Sequence, residues 1–259
     1  MALREKGKTL LLRTYQLWSR LLPPVYLPYK FEGGWIYLNL RESSMMLQRA
    51  LGRYEPEKHQ ALRHFLRPGA TFVDVGCNKG DFALAAARLV GSGGRVLAFE
   101  PHPENCRWTR KSIAKNGYRN IDLQQLALSD TNGTATLHLG EKSGFHSLIG
   151  GLAQRNEGTI AVKTRRLDDL LLGMGWIDAI KIDVEGAEMQ VLRGAQETLA
   201  AQRSLAVLLD VHSHLGVNAE EVCAFLRGLG FTLYAEQRPF NVPLEVRPSV
   251  TSLVAVRNC

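Results

Sequence analysis

Cysteine is scarce in this sequence. Cys77, Cys106, Cys223 and Cys259 lie far apart and form no C-x-x-C pair. That spacing argues against a disulfide framework or a structural zinc site and suits a reducing cytoplasm. Long apolar runs are missing too. No stretch approaches the roughly 18 uninterrupted apolar residues of a membrane-crossing helix, and Leu10 to Leu12, interrupted by Arg13, is too short for the core of a signal peptide. Repeats and low-complexity tracts are absent. Positive charge is thin over most of the chain: of the net +7, the first thirty residues carry Arg4, Lys6, Lys8, Arg13, Arg20 and Lys30 against Glu5 alone. The remainder is close to neutral, so the basic groove of a nucleic-acid enzyme is not expected.

What is present is an ordinary globular composition, 45% hydrophobic and 22% charged over 259 residues, enough for one domain with a large core. Lys8 to Leu22 sets Leu11, Tyr15, Trp18 and Leu22 at helical spacing before Pro23-Pro24 stops the pattern. This basic amphipathic helix has two readings: a cap across a ligand cleft, or an interfacial helix on an anionic membrane surface. The second would hold the protein peripherally at the inner membrane and suit a lipid-linked sugar acceptor. Gly33-Gly34 introduces the strand W-I-Y-L-N-L, and a helix follows from about Pro56 to Leu66.

Strands and helices then alternate. T-F-V-D-V-G, R-V-L-A-F-E, I-D-L-Q-Q-L-A-L, D-A-I-K-I-D-V and L-A-V-L-L-D-V-H read as strands, with helices over D-F-A-L-A-A-A-R-L-V, Pro103 to Asn116, L-D-D-L-L-L, Ala187 to Ala200 and Ala219 to Leu229. Thr134 to Leu139 and Ile160 to Thr164 form a β-rich stretch between them. The alternation predicts an α/β fold, a mostly parallel sheet with helices on both faces and ligands at the strands' C-terminal ends. F-T-L-Y-A-E and T-S-L-V-A-V-R add an antiparallel C-terminal edge. Residues 1–53 read as an extension and 54–259 as the ligand-binding domain.

The run Val73-Asp74-Val75-Gly76-Cys77-Asn78-Lys79-Gly80 joins the first of these strands to its helix. A dinucleotide site there shows G-x-G-x-x-G, whose second glycine admits a pyrophosphate. Asn78 stands at that place, and no G-K-[ST] of a Walker loop follows. The next strand ends in Phe99-Glu100-Pro101, which sets a carboxylate where it suits ribose hydroxyls. A glycine turn with a ribose acid and no pyrophosphate turn points to a nucleoside without phosphates, such as S-adenosylmethionine. Asp74 would then pair, directly or through water, with the cationic methionine end.

Taken together, V-D-V-G-C-N-K-G, F-E-P-H-P-E-N-C-R-W-T-R-K-S-I-A-K-N-G, L-A-L-S-D, L-D-D-L-L and K-I-D-V-E-G-A-E-M-Q-V-L-R-G-A, with Y-E-P-E upstream, resemble the FkbM family of S-adenosylmethionine-dependent methyltransferases. The resemblance runs from about Tyr54 to His212. It implies a Rossmann-like class I methyltransferase sheet of seven strands and O-methylation of sugars, glycolipids or secondary metabolites. It carries Asp74, Gly76, Asn78 and Gly80 over to the cofactor loop, Glu100 and Pro101 to the ribose, and Ala127 and Leu128 to the adenine flank. Asp183 and Glu185 match the acids of the K-x-D-x-E-G motif. Cys77 departs from the family's usual alanine, and Asp210 from a common glutamate.

Lys181 and Asp183 interrupt an apolar strand at i and i+2 and share one face. They are read either as an internal ion pair or as groups facing the transferred methyl and the acceptor hydroxyl. Methyl transfer requires in-line alignment and removal of the hydroxyl proton, for which Asp183 and His212 are the candidate bases. Asp183, Asp210 and His212 are also a candidate set for Mg²⁺. Glu55, Glu185, His146 and Ser147 are candidates to line the acceptor pocket. Two rival readings are an NAD(P)-dependent oxidoreductase, disfavoured by Asn78 and by the lack of a Tyr-x-x-x-Lys pair, and a non-catalytic nucleoside-binding module.

Overall fold

The computed structural model describes residues 24–41, 48–49, 54–140, 144–150, 158–171, 174–236, 244, 247 and 250–257. The helix expected over Lys8 to Leu22 lies outside them. In chain order, β1 (Tyr26–Phe31) and β2 (Gly34–Asn39) pair as an antiparallel hairpin. Then come α1 (Pro56–Phe65), β3 (Thr71–Val75), α2 (Asp81–Val90), β4 (Arg95–Phe99), α3 (Pro103–Asn116) and β5 (Ile121–Gln124). A small sheet follows from β6 (Ala127–Leu128), β7 (Gly133–His138) and β8 (Thr159–Arg165). The chain continues through α4 (Leu167–Leu170), β9 (Ala179–Ile182), α5 (Glu188–Gly194), α6 (Gln196–Ala201) and β10 (Leu205–Asp210). It closes with α7 (Ala219–Gly228), β11 (Thr232–Tyr234) and β12 (Ser252–Arg257).

The main sheet has the order β11-β12-β10-β9-β3-β4-β5. Five strands, β10, β9, β3, β4 and β5, run parallel, and β12 runs antiparallel to both β10 and β11. The expected seven-stranded sheet and its antiparallel edge are both present. Both faces are apolar and covered by helices. One carries Val73, Val75, Leu97, Phe99, Ile180, Ile182, Val207 and Leu209 beneath α5, α6 and α7. The other carries Phe72, Val96, Ala98, Ala179, Ala206 and Leu208, and the alanine-rich α2 packs over its β3 and β4 part. The alanines of α2 let this helix approach the sheet closely, as close-packed interiors require.

Three expectations change in detail. The run I-D-L-Q-Q-L-A-L is not one strand, since Leu126 N–H turns back onto the Gln124 carbonyl. Its halves enter different sheets, with β5 pairing β4 and β6 pairing β8. The helix expected over Ala187 to Ala200 breaks at Ala195. Asp168 accounts for the restart, because its carboxylate accepts the amides of Thr198 at 2.7 Å and Glu197 at 3.2 Å, as a capping side chain does at a helix start. Strand β1 has no counterpart among the sequence expectations, and it contains Pro28. It pairs with β2 alone, the edge position that tolerates proline. The hairpin is tied to α3 by Asn116, which accepts Trp35 N–H and donates to Trp35 O at 2.7 and 2.6 Å.

Strand order reverses between β3 and β9: the chain proceeds from β3 outward through β4 and β5, then returns to β9 and β10 on the other side. A crevice at the C-terminal ends of such strands is where open α/β sheets bind ligands.

Candidate active site

A cavity of about 320 Å³ opens at this switch point. Its floor comes from the ends of β3, β4, β9 and β10, and the stretch after β5 and the loop around His146 complete its walls. Gly76, Asn78, Glu100, Pro101, Ala127, Leu128, Glu55, His146, Asp183, Glu185, Asp210 and His212 all line it. Asp74, Gly80, Lys181 and Ser147 do not.

The turn after β3 is held by backbone geometry. Gly76 has φ +75°, and a Cβ there would sit 1.9 Å from the carbonyl oxygen of Asp183. Only glycine lets the two strand ends come this close. Asn78 takes φ +49°, a conformation that asparagine tolerates better than most residues. Its N–H donates to Glu100 Oε2 at 2.8 Å, while its own side-chain oxygen is buried without a hydrogen-bond partner. Glu100 Oε1 accepts His102 N–H at 2.8 Å and Asn105 Nδ2 at 3.3 Å. Burial pushes the Glu100 carboxyl up to about 7, against the pull of those donors. The acid is thus fixed in direction and keeps lone pairs for hydroxyl donors. Gly80 begins α2 in the left-handed region, where a Cβ would meet Thr109 Cγ2 at 2.8 Å. Its part is helix packing.

Asp74 does not line the cavity, which bears on the direct one of its two expected modes, direct or through water. It is fully buried on the α1/α2 face, in register with Lys181, and neither carboxylate oxygen has a hydrogen bond of ordinary geometry. Burial raises its carboxyl to about 6, opposed mainly by the Lys181 charge. It lies beneath the cavity, so a direct contact with a ligand's cationic end is not what this geometry offers.

The β9 and β10 ends gather charge. Lys181 Nζ lies 3.1 Å from Asp183 Oδ2 and over the Phe82 ring, the ion pair that was one of its two expected arrangements. Burial pushes the Asp183 carboxyl up, but Lys181, Lys58 and His212 outweigh it and hold the group ionised. Lys58 of α1 reaches Asp210 Oδ2 at 2.6 Å and Glu55 Oε1 at 3.2 Å. His212 Nδ1 lies 2.5 Å from Glu188 Oε1, leaving Nε2 3.5 Å from Glu185 Oε2 and 3.8 Å from Asp183 Oδ1. Burial disfavours the charged imidazole, yet the Glu188 bond and the charges of Glu185 and Asp183 prevail and push it up to about 9. Burial, with Asp183 and Glu188 adding to it, pushes Glu185 to about 8.

The candidate metal set regroups. Asp183, Glu185 and His212 present one donor atom each within 4.8 Å of one another, and so do Glu55, Asp183 and Asp210. Asp183, Asp210 and His212 do not form such a set among the described residues, because Lys58 draws the Asp210 carboxylate toward α1. Ser147 is spent internally, its hydroxyl donating to Glu185 O at 2.6 Å. His146 Nδ1 accepts Gly140 N–H at 3.1 Å and its ring rests 4.4 Å from that of His102, so burial keeps it neutral, near 4. Lys58 and Glu188 are not among the sequence candidates. Lys58 follows Glu55 by three residues and Glu188 follows Glu185 by three, the one spacing that hints at them.

Comparison with known proteins bears on this geometry. The Methyltransferase FkbM domain matches residues 74–233. The chain belongs to the FkbM methyltransferase family. It carries an S-adenosylmethionine-dependent methyltransferase domain, which sets aside the oxidoreductase reading. Among FkbM relatives, the 31-O-demethyl-FK506 methyltransferase FkbM of Streptomyces tacrolimicus is 34% identical over 71% of this chain and 82% of its own. The 2-O-methyltransferase NoeI of Sinorhizobium fredii is 32% identical over 53% of this chain, and the match spans 62% of NoeI. A solved structure assigned as an rRNA methylase, from Clostridium thermocellum, superposes with a TM-score of 0.50 at 14% identity over 78% of this chain and 93% of its own, which speaks to fold alone. The FkbM cofactor fits the residues present: Glu100 retains acceptor capacity, the buried Asn78 oxygen lacks a partner, and the glycine turn leaves the cavity floor open. No helix among the described residues is long and apolar enough to cross a membrane.

Proposed function

We propose that this FkbM-family chain methylates a hydroxyl group on a sugar, glycolipid or similarly hydroxylated metabolite. The observation that carries the reading is the order of groups along one cavity. Glu100 follows β4, Asp183 follows β9, and Asp210 closes β10, three strands away in the sheet. At about 4.8 Å per strand, that line covers roughly 14 Å, enough for a nucleoside at one end and an acceptor at the other. Glu100 and the Asn78 turn would hold the ribose, with Pro101, Ala127 and Leu128 against the base. Bound S-adenosylmethionine supplies an activated methyl group. The chain's own work is to align the acceptor oxygen and receive its proton. Asp183 is the candidate acceptor that stays ionised, whereas His212, cationic in the open site, must lose its own proton first. Lys181 then serves as a positioning residue that holds Asp183. Carboxylates at Glu55, Asp183 and Glu185 suit a polyhydroxylated partner, since each accepts hydroxyl donors. We retain residues 1–53 as an extension ahead of the methyltransferase domain.

The test is calorimetry with S-adenosylhomocysteine, followed by a search for products heavier by one methylene in acceptor panels and host extract. Binding with a hydroxyl-methylated product supports the reading. Binding without product across the panel would favour a non-catalytic module.

A further inference from the structure

Of the charged groups around the cavity, most are matched. Lys58 serves Asp210 and Glu55, and Lys181 serves Asp183 through Oδ2. Glu185 and Glu188 are not matched in this way. Among the described residues no lysine or arginine lies in ion-pair range of either, and both turn to the one imidazole of His212. Glu188 is fully buried, and its Oε2 has no partner while Oε1 takes both Gly186 N–H and the His212 ring. Two carboxylates on one histidine leave this wall short of positive charge. Buried charges are retained when paired or when they coordinate a metal.

We propose that Asp183 Oδ1, Glu185 Oε2 and His212 Nε2 bind one divalent cation of the Mg²⁺ or Mn²⁺ type, with Glu188 orienting the imidazole from behind. The donor set mixes carboxylate oxygen and imidazole nitrogen, which suits such ions. Its spacing also fits. An ion about 2.1 Å from each donor needs donor separations of roughly 3.0 to 3.5 Å. The distances from Nε2 are 3.5 and 3.8 Å and all three donors lie within 4.8 Å of one another, so closure asks the carboxylates to draw inward around the ion. Glu188 at 2.5 Å from Nδ1 fixes which ring nitrogen faces the site, the carboxylate–histidine arrangement found behind metal ligands. Asp183 divides its two oxygens between the ammonium of Lys181 and this trio, so the ion pair and the ligand role are compatible. All three donors line the cavity, which leaves the remaining coordination positions to solvent or acceptor oxygens. The inference rests on the methyltransferase reading for its purpose: a cation here would bind the acceptor hydroxyl and make it easier to deprotonate.

The experiment uses the full chain after chelator treatment, titrated with Mn²⁺ and followed by electron paramagnetic resonance, with S-adenosylhomocysteine affinity measured in parallel. One Mn²⁺ per chain is expected. Glu185→Gln and His212→Gln should each weaken it at least about tenfold, and Glu188→Gln by about 10- to 100-fold. Circular dichroism and melting of each variant separate lost ligation from lost folding, and Glu185→Gln, at a partly exposed rim position, is the variant that decides if the others unfold. Mn²⁺ affinity unchanged in folded Glu185→Gln, or no binding to the wild-type chain, overturns the proposal. If S-adenosylhomocysteine binds while Mn²⁺ does not, the cation site alone falls. If neither binds, the methyltransferase reading falls with it.

Discussion

Glu100 offers the most direct probe of the donor end. Its carboxyl is pushed up to about 7 by burial, while both oxygens already accept backbone amides at 2.8 Å. Ribose hydroxyls would pair best with the ionised form, so binding must draw Glu100 toward ionisation. Below pH 7 each unit then weakens the ligand tenfold, about 1.4 kcal/mol, and pH 5.5 costs about 30-fold relative to pH 8. Glu100→Gln removes the charge and sets an NH₂ against one of the two amide donors. Hydrogen bonds to a charged group contribute about 1.5 to 3 kcal/mol, so the variant should bind S-adenosylhomocysteine about 10- to 150-fold more weakly at pH 8. The assay is calorimetry from pH 5.5 to 8.5 on both proteins. Their affinity ratio cancels titrations of the ligand and of other groups. Near pH 6.5, wild-type binding should release a proton, visible as a dependence on buffer ionisation heat. The sign for stability is opposite. Glu100 rises above its unfolded value, so the free protein keeps this contribution below about 4.5 and loses it as pH climbs through 7. A ratio that stays flat with pH would refute the ribose assignment.

Two further perturbations test the architecture around it. Gly76→Ala forces a Cβ to within 1.9 Å of the Asp183 carbonyl in a left-handed backbone, and should lower stability by about 3 kcal/mol or more in urea unfolding. An unchanged midpoint would mean that the strand ends are not in contact. Lys58→Met leaves Asp210, already pushed up by burial and by Asp183, facing a neutral side chain. Loss of one partner of a buried pair costs about 3 to 5 kcal/mol. That cost should be largest at pH 8, where Asp210 is ionised, and shrink toward pH 5 as it protonates. A deficit that does not vary with pH would count against the pairing.

Much of this was legible because the sheet is parallel. Strands buried on both faces give dense apolar runs such as T-F-V-D-V and L-A-V-L-L-D, and their ends carry the polar residues that become the site. Gly76, Asn78 and Glu100 stand out in local spacing because each sits at a strand-to-helix junction. What could not be read depended on pairing across the fold. Nothing in I-D-L-Q-Q-L-A-L marks the point where one sheet yields to another, because both halves are equally apolar. The break at Ala195 is set by Asp168, some thirty positions away. The same limit applied to charge. Asp183, Asp210 and His212 cluster on paper, but Lys58 arrives from α1 and pairs with Asp210, while Glu185 joins Asp183 and His212 instead.

The bare contact between Gly76 and the Asp183 carbonyl has a wider consequence. With no side chain between them, the turn that would seat the donor and the acid facing the acceptor form one seam of backbone. Thermal displacement of one is shared by the other, so the gap across which a methyl must pass is set by covalent chain and strand pairing rather than by loops. Diversification would then fall to the rim. The stretches around Glu55 and His146 can be exchanged for new acceptors without disturbing the alignment beneath.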